Sequence, residues 1–222
     1  MFAAVYAVVS LLPGLPILGL SGSDIDLARS LEIGYGLILG TALGPSSAFL
    51  GAIVGKLITG DNAGLIFTPL AIVSSFMAAA LGRHSIFRMR GWLIAALLMA
   101  ILVAIWYTTP IGRSAPFYPV LHLAGLAIIL LFRDRITKNL RSQEKKRLAL
   151  GIMLSSFPAT MAGQMLGSIL FMLIFSPSAL FFMATLPITI VERISLTILA
   201  TVIGVPLVLA ARNASFMKMD DA

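Results

Sequence analysis

Long apolar stretches follow one another along almost the whole chain, and they constrain its fold more than any other feature. A helix that crosses a bilayer needs about 20 consecutive, mainly apolar residues. Most of the stretches reach or approach that length. The sequence therefore predicts an all-α, multi-pass bundle of six to eight transmembrane helices in the cell membrane, as a single domain over 1–222. The stretches fall at about 1–18, 27–43, 46–59, 64–82, 91–108, 117–132, 148–175 and 186–211.

The composition agrees with a membrane protein and excludes several other classes. Of all residues, 59% are hydrophobic and 11% are charged, and the mean hydropathy is +1.02. Soluble domains are about 45–50% apolar and about 25% charged, so neither a water-soluble domain nor a disordered chain is expected. The sequence has no cysteine and two histidines, which excludes a disulfide scaffold. We expect no bound metal and no cofactor.

The pair Gly44-Pro45 leaves the number of helices open. Proline disrupts the interior of a helix, and glycine permits tight turns. If the pair is a kink, one long helix covers 27–59 and the chain has seven spans. If it is a turn, two short helices replace that one and the chain has eight spans.

Positive charge predicts the orientation of the helices. Of the sixteen Lys and Arg residues, three lie in 83–90 and seven in 133–147, and Arg212 and Lys218 add two near the end. Two spans separate each basic region from the next, so all three lie on one side, and basic loops mark the cytoplasmic side. Eight spans place both termini in the cytoplasm and the acidic segment 24–26 outside, which is the topology that we favour.

Several enzyme and nucleotide-binding motifs are missing. The sequence has no Gly-rich phosphate loop, no HExxH and no Gly-x-Ser-x-Gly, and no pair of Asp residues stands at helical spacing within an apolar stretch. We therefore expect a protein that is not an enzyme and that does not hydrolyse ATP itself. The basic run at 133–147 is predicted to be a cytoplasmic loop and not a nucleic-acid site, because topology explains it fully.

Polar side chains at membrane depth are the main candidates for function. Charged groups inside a bilayer are costly and are usually paired or functional. In the eight-span topology they gather near the outer ends of the helices, which indicates a polar pocket that opens outward. The candidate substrate-binding residues are Glu32, Tyr35, Lys56, Trp106, Tyr107, His122 and Glu192.

Some of these residues have a simpler explanation. Trp106, Tyr107 and Tyr118 fit an aromatic belt at the membrane interface equally well. Lys56 can extend its ammonium group to the outer interface while its stem stays in the apolar layer. A histidine such as His122 is more often a hydrogen-bonded structural residue than a ligand-binding one.

Glu192 is the hardest of these candidates to explain without a function. It lies inside an apolar run, where an unpaired carboxylate is expensive. We therefore expect it to pair with Lys56 or another cation, or to meet a substrate. Arg193 follows directly and stands about 100° further around the helix, so it is expected to face a different direction.

Four passages resemble the S components of energy-coupling factor (ECF) transporters. The first is the small-residue pattern of Ala3 and Ala7, whose spacing lets helices approach closely. The second and third are LEIGYGLILGTALGP at 31–45 and SSAFLGAIVGKLITG at 46–60. The last is LPITIVERISLTILATVIGVPLV at 186–208.

The resemblance implies a substrate-binding membrane subunit for a vitamin or a related micronutrient. It implies that Ala3 and Ala7 contact a transmembrane T component, that partner ATPases supply the energy, and that Lys56 and Glu192 belong to the substrate pocket. The family typically has six helices, and this chain has room for eight, with an extra hairpin within 91–147.

The predicted function is therefore the capture of a small molecule in an outward-facing pocket, with membrane lipid and transporter subunits as the other partners. Two alternatives stay open. A stand-alone secondary transporter needs a second access route from the inside and usually has related halves. An intramembrane enzyme acting on lipid or isoprenoid substrates would have Glu32, His122 and Glu192 as its acid–base groups.

Overall fold

The protein is a bundle of helices with two very short strand pairs. The structure is a computed structural model that describes residues 1–12, 14–16, 24–25 and 27–214, the backbone alone at 15–16 and 24–25. In chain order the elements are α1 (Phe2–Val9), β1 (Leu15–Pro16), β2 (Asp24–Ile25), α2 (Arg29–Thr59), α3 (Asn62–Leu65), α4 (Pro69–Gly82), β3 (Ser85–Ile86), β4 (Met89–Arg90), α5 (Gly91–Thr108), α6 (Pro110–Ser114), α7 (Val120–Leu140), α8 (Lys145–Phe175) and α9 (Ala179–Asn213). The strands pair antiparallel, β1 with β2 and β3 with β4.

Four helices of the described residues, α2, α5, α8 and α9, are long and apolar enough to cross a membrane, and α4 is a shorter apolar helix. Large apolar side chains point outward along the bundle, for example Leu131, Leu173 and Val202, which are 76%, 69% and 65% exposed. A soluble protein rarely exposes so much apolar surface. The chain is therefore an all-α membrane protein, while the number of spans and the direction of the termini stay predictions.

Helix α2 bends back on itself at Gly40. This residue has φ 83° and ψ −164°, a conformation that glycine adopts readily because it has no Cβ. The two arms, 29–39 and 41–59, meet closely: a Cβ on Gly44 would lie 2.9 Å from the Cα of Gly36. Gly44-Pro45 was predicted to be either the kink or the turn. The chain does turn, but at Gly40, and Pro45 lies inside the second arm.

Helices α4 and α8 form the centre of the bundle. Helix α4 packs against α2 and α8, and α8 also packs against α7 and α9. The larger apolar core contains the fully buried side chains of Met77, Met99, Met161 and Met165. Methionine suits such a core because its unbranched side chain fills irregular gaps.

Helix α1 packs against both arms of α2. The Tyr35 hydroxyl donates to the carbonyl of Phe2 at 2.7 Å. Ala7 is only 4% exposed, and a Cβ on Gly55 would lie 3.7 Å from its Cα. Ala3 is half-buried on the same helix. The T-component contact predicted at Ala3 and Ala7 therefore falls on a face that already packs within the chain.

The basic run at 133–147 is mostly helical, so the prediction of a loop there is wrong. Helix α7 continues to Leu140 and α8 begins at Lys145. Arg212, near the end of α9, donates to the carbonyls of Leu140 and Ser142 and so caps the end of α7. Of the other charged residues used for the topology, Lys218 and the acidic side chains of 24–26 lie outside the part that the structure describes.

Candidate functional site

A cavity of about 470 Å³ lies between α1, α2, α4, α8 and α9. This volume falls within the range of about 300–1,000 Å³ that is usual for small-molecule sites. The cavity is lined by the beginning of α4 near Leu70, by α8 around Gln164 and by α9 around Thr189. Lys145, at the basic end of α8, is about 28 Å from Gln164 along the helix axis at 1.5 Å per residue. The cavity thus occupies the half of the bundle away from its basic end.

Six side chains of the Asp, Glu, Lys and Arg types are among the described residues that line the cavity. Three are cations and three are carboxylates among the described lining residues. Charged groups are expensive in apolar surroundings, so their concentration here makes the cavity a candidate functional site. The six residues are Arg29, Glu32, Lys56, Asp61, Glu192 and Arg193.

Glu192 lies between two arginines. Its Oε1 is 2.5 Å from Nη2 of Arg193 and 3.7 Å from Nη1 of Arg29. The Arg193 side chain is 5% exposed, so its pairing with Glu192 offsets much of the cost of burying it. The expectation that the two neighbours face different directions is wrong, because the long arginine side chain curls back around the helix to its own neighbour.

Lys56 pairs with Asp61 instead of Glu192. Lys56 Nζ is 2.8 Å from Asp61 Oδ2, and the two side chains are 31% and 42% exposed. This pair is therefore more exposed to solvent than the pair at Glu192. Asp61 also accepts a hydrogen bond from the backbone N–H of Gly64 at 2.8 Å. The hydrogen bond from Lys56, followed by the one from Gly64, lowers the pKa of the Asp61 carboxyl below its ordinary value.

Helix α1 contributes to the charged wall through Tyr6. Its hydroxyl donates to Oε1 of Glu32 at 2.9 Å, and both side chains are buried. Glu32 lies in the first turn of α2, where the positive end of the helix dipole stabilises a carboxylate. The packing of α1 on α2 thus closes one side of the cavity.

Aromatic side chains form another part of the cavity wall. The rings of Phe171 and Phe181 stack with their centroids 5.3 Å apart. Phe182 meets the ring of Tyr118 edge to face at 5.1 Å. Such pairs are stabilised beyond the burial of their area, so this wall is a preformed apolar surface.

Polar side chains line the seam between α8 and α9. Gln164 Nε2 donates to the hydroxyl of Thr189 at 3.2 Å, and the Tyr118 hydroxyl lies 2.6 Å from that of Ser168. Gln164 Oε1 and Arg193 Nε are buried and have no hydrogen-bond partner among the residues that the structure describes. Buried polar atoms without partners are rare, and here both belong to residues of the cavity wall.

Three of the predicted substrate-binding residues, Glu32, Lys56 and Glu192, line the cavity. Their contact with a substrate stays a prediction.

The other four predicted residues, Tyr35, Trp106, Tyr107 and His122, do not line the cavity. The hydroxyl of Tyr35 donates a hydrogen bond to the carbonyl of Phe2. The hydroxyl of Tyr107, which is partly exposed, donates one to the carbonyl of Pro116. Trp106 and His122 are fully buried.

Trp106 and His122 lie behind the aromatic wall. The ring centroid of Trp106 is 4.7 Å from that of Tyr118, and the ring centroid of His122 is 5.7 Å from it. Neither ring nitrogen of His122 has a hydrogen-bond partner in the described structure. These two side chains therefore support Tyr118 and are separated from the cavity by it.

Sequence reasoning missed Tyr6, Arg29, Asp61 and Gln164. Arg29 opens the second apolar stretch and Asp61 ends the third, so both look like ordinary end charges. Gln164 carried a visible signal, because Thr160, Gln164 and Ser168 recur every four residues on one face of α8. Within the described ranges, no group of three or more His, Asp or Glu side chains could hold a metal ion.

Comparison with known proteins finds a relative of this chain. The chain is 29% identical over 184 residues to an uncharacterized protein of Methanocaldococcus jannaschii, and the alignment covers 81% of this chain and 59% of that protein. The chain thus spans 59% of the length of this curated relative. No family model matches the chain. No solved structure matches it either.

Proposed function

We propose that this chain is the substrate-binding membrane subunit of an uptake transporter for a micronutrient, a vitamin or a related small molecule. The observation that supports it is the cavity of about 470 Å³ with six Asp, Glu, Lys and Arg side chains among the described residues of its wall, in a chain whose long helices are apolar enough to lie in a membrane. Charged groups are expensive at that depth and are kept there mainly for function.

The position of the cavity supports capture from outside the cell. It lies away from the basic end of α8, and basic segments mark the cytoplasmic side. In that orientation the more exposed pair, Lys56 and Asp61, lies at the outer opening of the cavity, and the pair of Glu192 and Arg193 lies deeper. Both termini are then cytoplasmic.

The energy source in this proposal follows from the resemblance to ECF S components. A transmembrane T component and ATPase subunits would drive release of the substrate to the cytoplasm. Ala3 and Ala7 remain the proposed contact with the T component, and that contact requires α1 to move on α2, because Ala7 is buried there.

Small molecules that copurify with the chain test the binding function. The full chain is purified in mild detergent and its bound compounds are released and identified by mass spectrometry. Thr185→Trp fills the cavity from a half-buried lining position, and Val202→Trp adds the same side chain on the 65% exposed, outward face of α9. We expect a compound that is retained by the parent chain and by Val202→Trp and lost from Thr185→Trp.

The function is contradicted if no compound shows this pattern although Thr185→Trp elutes as a single folded species. Uptake of the identified compound into vesicles then tests the energy source. Uptake that requires T-component and ATPase subunits supports the proposal, whereas uptake by the chain alone supports a secondary transporter.

A further inference from the structure

The hairpin between α4 and α5 has an unusual turn. Its strands are β3 and β4, and Ile86 pairs with Met89, so Phe87 and Arg88 form a two-residue turn. Both residues have positive φ angles, 51° and 66°. A type I′ turn has this pattern, and it strongly favours pairs such as Asn-Gly. For a residue with a Cβ this left-handed region is strained, and a bulky residue such as phenylalanine is rarely found there.

The base of the hairpin holds this turn in place. Ile86 is 7% exposed and belongs to the larger apolar core. The backbone N–H of Gly91 donates to the carbonyl of His84 at 3.1 Å, and a Cβ on Gly91 would overlap the carbonyl oxygen of Ala80. A strained turn persists only where the surrounding structure fixes it, and such strain is concentrated at functional sites. The tip of the hairpin is therefore a candidate interaction surface.

The side chains of the hairpin combine an aromatic ring with positive charge. Phe87 is 86% exposed, and Arg83, Arg88 and Arg90 are all exposed. The segment 83–90 has no acidic residue, and none of these arginines forms an ion pair with a carboxylate of the described residues. An exposed ring among cations without ion pairs suits an anionic partner that also has an apolar part.

The hairpin lies where the chain leaves and re-enters the apolar layer. It joins α4, a short apolar helix, to α5, which is apolar and long enough to cross a membrane. In the first turn of α5, the ring centroid of Trp92 is 5.2 Å from the guanidinium carbon of Arg133. Tryptophan is enriched at the level of the lipid headgroups. We therefore expect the hairpin at that level, whichever end of the bundle faces the cytoplasm.

We infer that the tip of the β3–β4 hairpin binds anionic phospholipids, with Arg88 and Arg90 on the phosphate groups and the ring of Phe87 inserted toward the acyl chains. Arginines near an anionic membrane surface are attracted to it. A small anion would leave the ring of Phe87 in water, so the exposed ring favours the bilayer surface as the partner. This inference is independent of the function proposed for the cavity.

Lipids retained by the full chain test the inference. The chain is purified in mild detergent with equal amounts of two lipids that have the same acyl chains, anionic phosphatidylglycerol and zwitterionic phosphatidylcholine. Native mass spectrometry then counts the bound molecules of each. We expect phosphatidylglycerol to be retained at least about 5-fold over phosphatidylcholine, which is roughly the contribution of a single arginine at an anionic surface.

A replaced turn separates lipid binding from folding. Phe87→Asn/Arg88→Gly introduces the pair that a type I′ turn favours, so its midpoint of thermal unfolding should be at least as high as that of the parent chain. The same variant lacks the ring and one charge, so its preference for phosphatidylglycerol should fall by at least about 5-fold. If it keeps the full preference, the exposed tip does not bind lipid and the inference is overturned.

Two further variants test whether the hairpin or the overall charge attracts the lipid. Arg88→Gln/Arg90→Gln removes two exposed cations from the hairpin and should abolish most of the preference. Lys145→Gln/Lys146→Gln is the matched control, because it removes two exposed cations from the beginning of α8, and it should keep the preference. Equal losses in the two double variants, or no preference in the parent chain, would also overturn the inference.

Discussion

At the scale of single residues, Glu192 and Arg193 show how side-chain length changes a prediction from helical geometry. Neighbouring Cβ atoms on a helix diverge by about 100°, yet the two charged groups are 2.5 Å apart. The guanidinium group of Arg193 lies at the end of a long, flexible side chain, which bends back toward Glu192. For arginine and lysine, therefore, the direction of the Cβ does not predict the position of the charge.

Removing the carboxylate of Glu192 should destabilise the fold. Glu192→Gln leaves Arg193, whose side chain is 5% exposed, without its closest counter-charge. We expect a loss of about 2–3 kcal/mol in the free energy of unfolding, below the value for a fully buried pair because Glu192 is partly exposed. The measurement is SDS-induced unfolding in micelles.

Glu144→Gln is the matched control, since its pair with Arg147 is exposed and should contribute less than about 1 kcal/mol. In addition, Glu192→Gln/Arg193→Leu should recover part of the loss, because it removes the buried charge along with its partner. Equal stability of Glu192→Gln and Glu144→Gln would argue against this account.

Asp61 should make a stabilising contribution that depends on pH. Since Lys56 and Gly64 lower its pKa in the folded state, the contribution is fully present above the unfolded pKa of about 3.8 and is lost as the pH falls through the lower folded pKa. Asp61→Asn should therefore lower the midpoint of thermal unfolding at pH 7, because it removes the charge that pairs with Lys56.

The difference between Asp61→Asn and the parent chain should shrink as the pH is lowered below about 3.8. Asp134→Asn serves as a control, because Asp134 makes only an exposed contact of 3.5 Å with its neighbour Arg133. A difference for Asp61→Asn that stays constant from pH 7 into this acid range would contradict the assigned pairing.

At the scale of elements, the reversal in α2 brings the charged wall together. The first arm carries Arg29 and Glu32, and the second carries Lys56. In a straight helix Glu32 and Lys56 would lie about 36 Å apart at 1.5 Å per residue. Because the arms fold back at Gly40, all three side chains line the same cavity.

A side chain at position 40 should disturb this reversal. Gly40 has φ 83°, and a Cβ there would lie 2.3 Å from a guanidinium nitrogen of Arg83. Gly40→Ala should cost about 1–3 kcal/mol from the backbone conformation alone, because φ 83° with ψ −164° is accessible essentially only to glycine, and it should also displace Arg83. Thermal unfolding and the retention of the copurifying compound are the two measurements.

Gly60→Ala separates the cost of the backbone conformation from the effect of displacing Arg83. Gly60 also has a positive φ, 68°, but a Cβ there would meet nothing within 4 Å. It should lower stability by about 1–2 kcal/mol, the cost of its left-handed conformation, and leave ligand retention unchanged. If both variants retain the compound equally, the geometry of the reversal does not matter for the site.

At the scale of the whole molecule, the cavity and the basic end lie at opposite ends of the central helices. The cavity uses the beginning of α4, the second half of α8 and the first half of α9. The opposite ends of these helices approach the basic residues of 83–90 and 133–147. The two ends of the molecule are therefore different, and a topology experiment can determine which of them faces the cytoplasm.

Single cysteines can test the orientation directly, since the sequence has none. Ser114 and Gln143 are both exposed, and they lie at the cavity end and at the basic end. A membrane-impermeant maleimide added to intact cells should label Ser114→Cys, and it should label Gln143→Cys only after permeabilisation. The opposite pattern would mean that the cavity faces the cytoplasm.

Hydropathy was enough to predict an all-α membrane protein and the approximate course of its helices. Apolar stretches of the right length produce helices in nearly the predicted positions, because in an apolar environment every backbone hydrogen bond must be made within the segment. The cost of charge in that environment also pointed to Glu32, Lys56 and Glu192, which line the cavity.

Which polar groups meet could not be predicted from the sequence. The reversal at Gly40, the return of Arg193 to Glu192 and the burial of Trp106 and His122 behind Tyr118 depend on packing between segments far apart in the chain. Hydropathy has no information on such contacts, since it measures each segment against the membrane and not against its neighbours. The cavity exists because α1, α2, α4, α8 and α9 converge, and no single stretch of sequence contains it.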